Sequence, residues 1–80
     1  MGRDEVTFEV VEHLGVISSS DSGWTKEVNL VSWNGAAPKT DIRDWSPDHD
    51  RMTKGITLTA EQTYRLYQVL KQIYSLVEEE

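Results

Sequence analysis

Alternation of apolar and polar side chains marks out four strands in this chain, and a wider spacing marks one helix. Over residues 6–18, Val6, Phe8, Val10, Leu14 and Val16 share one parity, while Thr7, Glu9, Val11 and His13 take the other. That two-residue period is the signature of a half-buried strand. The polar run Ser18-Ser19-Ser20-Asp21-Ser22-Gly23 is a compact turn leading to a second strand over residues 24–34. There Lys26, Val28 and Leu30 lie on one side, and Asn29, Val31 and Trp33 on the other. Asn34-Gly35 is a tight-turn pair in a connection lengthened by Ala36-Ala37-Pro38. Pro38 cannot donate to a ladder, so it belongs at a strand start or edge. Residues 39–45 and 51–58 are the third and fourth strands. Between them Ser46-Pro47-Asp48-His49-Asp50 is turn chemistry, since proline presets φ and Ser and Asp bond their own backbone.

Thr59-Ala60-Glu61-Gln62 then forms a capping box, with the Thr59 hydroxyl at the cap and Gln62 reaching back. Leu66, Val69, Leu70, Ile73, Leu76 and Val77 follow at spacings of three and four, a stripe down one face of a helix over about residues 60–77. Tyr64, Tyr67 and Tyr74 flank the stripe. Glu78-Glu79-Glu80 sits at the unfavourable end of the helix dipole and is expected to fray. The prediction is one α+β domain spanning residues 1–80: a four-stranded antiparallel sheet followed by a C-terminal helix, ββββα. One sheet face, floored by Phe8, Val10, Val28, Leu30, Ile42, Ile56 and Leu58, is expected under the helix. The other is expected to expose Val11, His13, Val31, Trp33, Arg43 and Trp45, and exposed tryptophans mark an interaction site.

Size changes this picture in one respect. A chain of 80 residues buries only about 60% of the surface its unfolded form exposes. With no cysteine to supply a disulfide or a thiolate metal site, oligomerisation is the common remedy, and a homodimer is expected. The N-terminal residues lead into no apolar signal core, and no apolar run approaches the ~18 residues of a membrane span. A soluble, cytoplasmic protein without membrane contact is expected. On its own, the net charge of −6, from 8 basic and 14 acidic residues, argues against a nucleic-acid partner, whose binders usually carry a basic patch. The charge is segregated, however: Glu78–Glu80 lies at the C-terminus and Asp48 and Asp50 lie in a loop, which leaves room for a local basic face.

Candidate chemistry gathers on the strands. Trp24, Trp33 and Trp45 are the tryptophans, and exposed aromatics on a sheet stack bases without reading sequence. Lys26, Lys39, Arg43, Arg51 and Lys54 are the basic residues of the strand region. Arg43 lies between Asp41 and Asp44, so an ion pair within the sheet competes with a phosphate for it. Lys54 precedes Gly55, and glycine in a strand marks a bulge or a close backbone approach. Asp41, Asp44, Asp48 and His49 would be the ligands of a metal-dependent nuclease, but the chain has no HxxxH, no second histidine cluster and no EF-hand spacing. His13 and His49 have no nucleophilic serine context.

In Asp41-Ile42-Arg43-Asp44-Trp45, then Lys54-Gly55-Ile56-Thr57-Leu58, then Glu61-Gln62, the chain resembles the positive cofactor four family. These are small transcriptional coactivator-type proteins that bind single-stranded DNA. The likeness covers about residues 26–73 and is most similar to the short bacterial YdbC-type members. It implies a homodimer formed through the helix and adjoining strand; no catalysis, cofactor, metal or small-molecule substrate is expected. It implies that Lys26, Arg43 and Lys54 take phosphates, that Trp33 and Trp45 stack bases, and that Gly55 faces the nucleic acid beside Lys54. The partner would be single-stranded DNA, with RNA left open, in transcription or in repair and replication. The chain departs from the eukaryotic members in a longer first hairpin, a longer 34–40 connection, and Val31 and Asn34 in place of basic residues. A protein-interaction module using the aromatic face is the rival from another class.

Overall fold

The computed structural model describes residues 7–78, with side chains through residue 74. Four strands, β1 (Phe8–Ser19), β2 (Thr25–Trp33), β3 (Lys39–Trp45) and β4 (Ile56–Leu58), precede one helix, α1 (Ala60–Glu78). The strands pair antiparallel in the order β1-β2-β3-β4, which is the expected ββββα architecture. Val6, the Leu76 and Val77 side chains, and the fraying of Glu79 and Glu80 lie outside the described residues.

Local chemistry accounts for the joints. Asn34 and Gly35 both take positive φ, 52° and 79°, the mirror-image turn that Asn-Gly favours because its twist matches the strands it joins. The Ala36 amide closes it on the Trp33 carbonyl at 2.9 Å. The helix begins at the capping box: the Gln62 amide donates to Thr59 Oγ1 at 3.1 Å, and the Thr59 amide donates to Gln62 Oε1 at 2.9 Å. The fourth strand is shorter than its sequence pattern. Met52 makes only an isolated bridge to Trp45, and pairing resumes at Ile56 after the Thr53 amide bonds the Asp44 carbonyl at 3.0 Å. Gly55 passes so close to β3 that a Cβ there would collide with the Ile42 carbonyl and the Arg43 Cβ. This is the close backbone approach that Lys54-Gly55 suggested.

The first strand departs from simple alternation. β1 uses 12 residues to pair with the 9 of β2, slipping register between Val10 and Glu12, His13 and Gly15, and Val16 and Ser18. Val11, Leu14 and Ile17 are the inserted residues. Each bulge resets parity, so Phe8, Val10, His13 and Val16 share one face with their partners Trp33, Val31, Asn29 and Glu27. On β3 the same face carries Asp41, Arg43 and Trp45, opposite Asn29, Glu27 and Thr25.

The two faces are therefore filled in the reverse of the expected way. Val31 and Trp45, expected on the open face, are 0% and 1% exposed and form the apolar core of the described residues. Phe8 crosses from the expected helix floor to pack on Trp33 and Trp45, with centroids 5.6 and 5.5 Å apart. Two features cause the reversal: the bulges swing β1 over this face, and the loop between β3 and β4 folds back on it. The helix meanwhile touches only β3 and β4. Val28, Leu30 and Ile42 stay half-buried and Ile56 is exposed. Among the described helix side chains, only Thr63 and Leu66 are half-buried, while Val69, Leu70 and Ile73 remain exposed. The radius of gyration is 15.2 Å, against roughly 12 Å for a compact domain of this length. The chain is elongated, and the described part of its helix stripe beyond Leu66 stays exposed.

Candidate nucleic-acid interface

A hydrogen-bonded polar network runs through the packed face. Glu27, 3% exposed, accepts from Thr25 Oγ1 at 2.6 Å, Asn29 Nδ2 at 3.2 Å and His49 Nε2 at 2.8 Å. His13 Nδ1 donates to Asn29 Oδ1 at 2.6 Å and lies 3.6 Å from Glu27 Oε1. Burial pushes the Glu27 carboxyl up, but the bonds from Thr25, Asn29 and His49 outweigh it and hold the group below its ordinary 4.5. Neighbouring Asp41, 0% exposed, takes both Nε and Nη2 of Arg43 at 2.6 and 2.7 Å and the Thr57 hydroxyl at 3.0 Å. Two buried carboxylates are thus each satisfied by several donors, the condition for burying such groups at all.

Glu27 therefore makes folding stability depend on pH. Its carboxyl binds a proton less readily folded than unfolded, so its stabilisation is full above the ordinary carboxylate range and is lost as pH falls through the folded value. Glu27→Gln is expected to flatten the loss of melting temperature below about pH 4.5 relative to wild type. Superimposable profiles for the two proteins would contradict this.

The turn that carries His49 is built in detail. Ser46 Oγ donates to Asp48 Oδ1 at 2.7 Å, and the Asp50 amide donates to the same oxygen at 3.0 Å. The Asp50 amide and the Ser46 hydroxyl hold the Asp48 carboxyl below its usual range. His49 itself has φ of 60°, a left-handed conformation that is costly for a non-glycine residue. In it the imidazole reaches Glu27 and lies 5.6 Å from the Trp45 ring. A cleft of about 530 Å³, lined by Val10, His13, Val16, Glu27, Asn29 and His49, opens beside this network.

The residues that the sequence nominates fall in three environments. Trp33 is half-buried on the packed face, with the Arg43 guanidinium 4.7 Å from its centroid and Phe8 on its flank. Arg43 also donates to the Thr53 carbonyl at 3.2 Å, and its side chain is 12% exposed. The ion pair with Asp41 that competes for this residue is therefore formed. Trp45 is interior; the exposure expected for it does not occur, because Phe8 and His49 cover its ring. Lys26 is on the opposite face, paired with Asp44 at 2.9 Å and 46% exposed. Lys54 and Gly55 are exposed in the segment leading to β4. The nuclease set is scattered: Asp41 and Asp44 point to opposite faces, and His49 is turned to Glu27. Among the described residues no group of three or more His, Cys, Asp or Glu could hold a metal ion, and no helix is long and apolar enough to cross a membrane.

The Glu27–Asn29–His13–His49 network is what the sequence did not reveal. Its members come from β1, β2 and the β3–β4 loop. The available signal was weak: both histidines of the chain fall where the folded sheet brings them to one carboxylate.

The arrangement is a four-stranded antiparallel meander with one C-terminal helix, an arginine set over a face tryptophan and a Lys-Gly entry to the last strand. A sequence model described as Transcriptional Coactivator p15 (PC4) matches residues 20–69. The chain belongs to this single-stranded DNA-binding family. It is also 41% identical over 71 residues, 89% of this chain and 84% of the relative, to an uncharacterized protein of Treponema pallidum (strain Nichols).

Proposed function

We propose that this protein binds single-stranded DNA across its sheet, largely without regard to sequence and without catalysis, as a homodimer. The observation that carries this reading is Trp33, half-buried on the sheet face and held between Arg43 and Phe8 within the family-matched span. A ring fixed on both flanks loses little freedom when a base stacks on its remaining surface. Arg43, anchored by Asp41, carries a positive charge above that ring. Trp45 supports the platform from beneath through Phe8. Lys54, exposed and without an ion pair among the described residues, takes a phosphate, and Gly55 lets the backbone draw close beside it. Lys26 exchanges its exposed partner Asp44 for phosphate, since a surface ion pair contributes little. The protein acts in the cytoplasm, on strands opened during transcription, repair or replication.

Fluorescence anisotropy with oligo-dT at rising NaCl tests the proposal. Affinity is expected to fall steeply with salt. Absence of binding at low salt would reject the reading in favour of a protein partner, and cleavage of the oligonucleotide in magnesium would reject the non-catalytic role. Lys54→Ala is expected to weaken binding to every sequence and reduce the log–log salt slope by about 0.7, one phosphate contact. An unchanged slope would make Lys54 a bystander.

A further inference from the structure

We propose that His13 and His49 form a proton-loaded phosphate contact at the margin of the DNA-binding sheet, so that single-strand binding strengthens as pH falls. The proposal rests on the single-strand reading above. Each imidazole commits one nitrogen inward: His13 Nδ1 to Asn29 at 2.6 Å, His49 Nε2 to Glu27 at 2.8 Å. The other nitrogens, His13 Nε2 and His49 Nδ1, make no hydrogen bond among the described residues, and both side chains are 52% exposed. A protonated imidazole donates from both nitrogens. Its inner N–H stays on the buried polar network, and its outer N–H is left for an acceptor in the cleft. A phosphodiester oxygen is such an acceptor, and the resulting bond is charge-assisted.

The surrounding charges make the protons consequential. From β2 the histidines face Glu27. From β3 they face Asp41 and Arg43, which neutralise one another at 2.6 Å. The loop adds Asp48, Asp50 and Arg51, while Glu9 and Glu12 of β1 pair with residues of the opposite face. With neutral imidazoles this margin is net negative and repels phosphate. Two protons cancel that charge where the cleft opens, and Val10 and Val16 give it an apolar wall for sugar or base. His49 holds its position at the expense of a left-handed backbone, the kind of strain that gathers at functional positions. His13 precedes the family-matched span of residues 20–69, so the device is built partly from sequence outside that match.

The test is oligo-dT affinity of the full chain at constant ionic strength from about pH 8 to pH 5.5, the range in which histidine changes charge while ordinary carboxylates do not. Affinity is expected to rise on the order of tenfold or more, with the salt slope steepening by about 0.7 for each phosphate gained. The double variant H13Q/H49N, confirmed folded by its melting curve at each pH, should vary less than about twofold over the range; asparagine tolerates the left-handed backbone at position 49. Calorimetry on wild type in buffers of different ionisation heat gives a readout that needs no variant: binding near neutral pH should take up protons. Binding that is independent of pH, a double variant that keeps the pH dependence, or absence of proton uptake would each overturn this proposal while leaving single-strand binding intact. Failure to bind at any pH in low salt would instead overturn the single-strand reading.

Discussion

Trp45→Ala is expected to remove a large part of the chain's stability. Trp45 and Val31 are the buried apolar side chains of the described residues, and Trp45 touches Phe8, His49 and, through its bridge, Met52. Truncating a buried tryptophan costs about 3–5 kcal/mol, against a total of about 5–15 kcal/mol for a typical domain. At about 4–8 °C per kcal/mol for a domain of this size, the melting temperature should fall by more than about 12 °C. Trp33→Ala provides the contrast. Its half-buried ring should contribute less to folding, and its loss should lower oligo-dT affinity by about five- to a hundredfold or more, the equivalent of about 1–3 kcal/mol per stacked base. Circular dichroism melting and anisotropy on both variants separate the roles. If Trp45→Ala melts with wild type, the ring does not form the core.

Ile73→Asp is expected to abolish self-association. In the single chain Ile73 is 53% exposed, beside Val69 at 59% and Leu70 at 43%, and a surface substitution there should change the stability of a monomer by no more than about 0.5 kcal/mol. In a homodimer built on this stripe it buries an unpaired charge, which apolar contacts do not tolerate. Sedimentation velocity should show wild-type dimer and mutant monomer. DNA affinity should drop with it, because two linked sheets bind one strand more tightly than either alone. A variant that still sediments as a dimer would move the interface elsewhere.

Much of this architecture was legible in the residues. The strand and helix order follows from side-chain period, the helix start from Thr59 and Gln62, the hairpin from Asn34-Gly35, and the close approach from Gly55. What failed was the assignment of faces. Parity counting assumes an unbroken strand, and three single-residue insertions in β1 carry Phe8 and Val10 to the face of Trp33. Nor does parity foresee a loop folding back, so it puts Trp45 in the open although the chain's own loop returns His49 to cover it. The polar network escaped for a related reason. Glu27 looks like a solvated strand residue until Thr25, Asn29 and His49 supply its hydrogen bonds.

The insertions in β1 also bear on whether the open border of the sheet can pair with another chain. β1 is an outer strand of the sheet, 12 residues long, and carries the exposed apolar residues Val11, Leu14 and Ile17. A flat border of that length and composition would template further strands, chain upon chain. These apolar residues are the ones inserted at the register slips, and a bulge twists the backbone and interrupts the even row of donors and acceptors that an incoming strand must match. A 9-residue first strand that paired β2 without slips would therefore leave a straighter outer border, and the chain would be prone to form fibres.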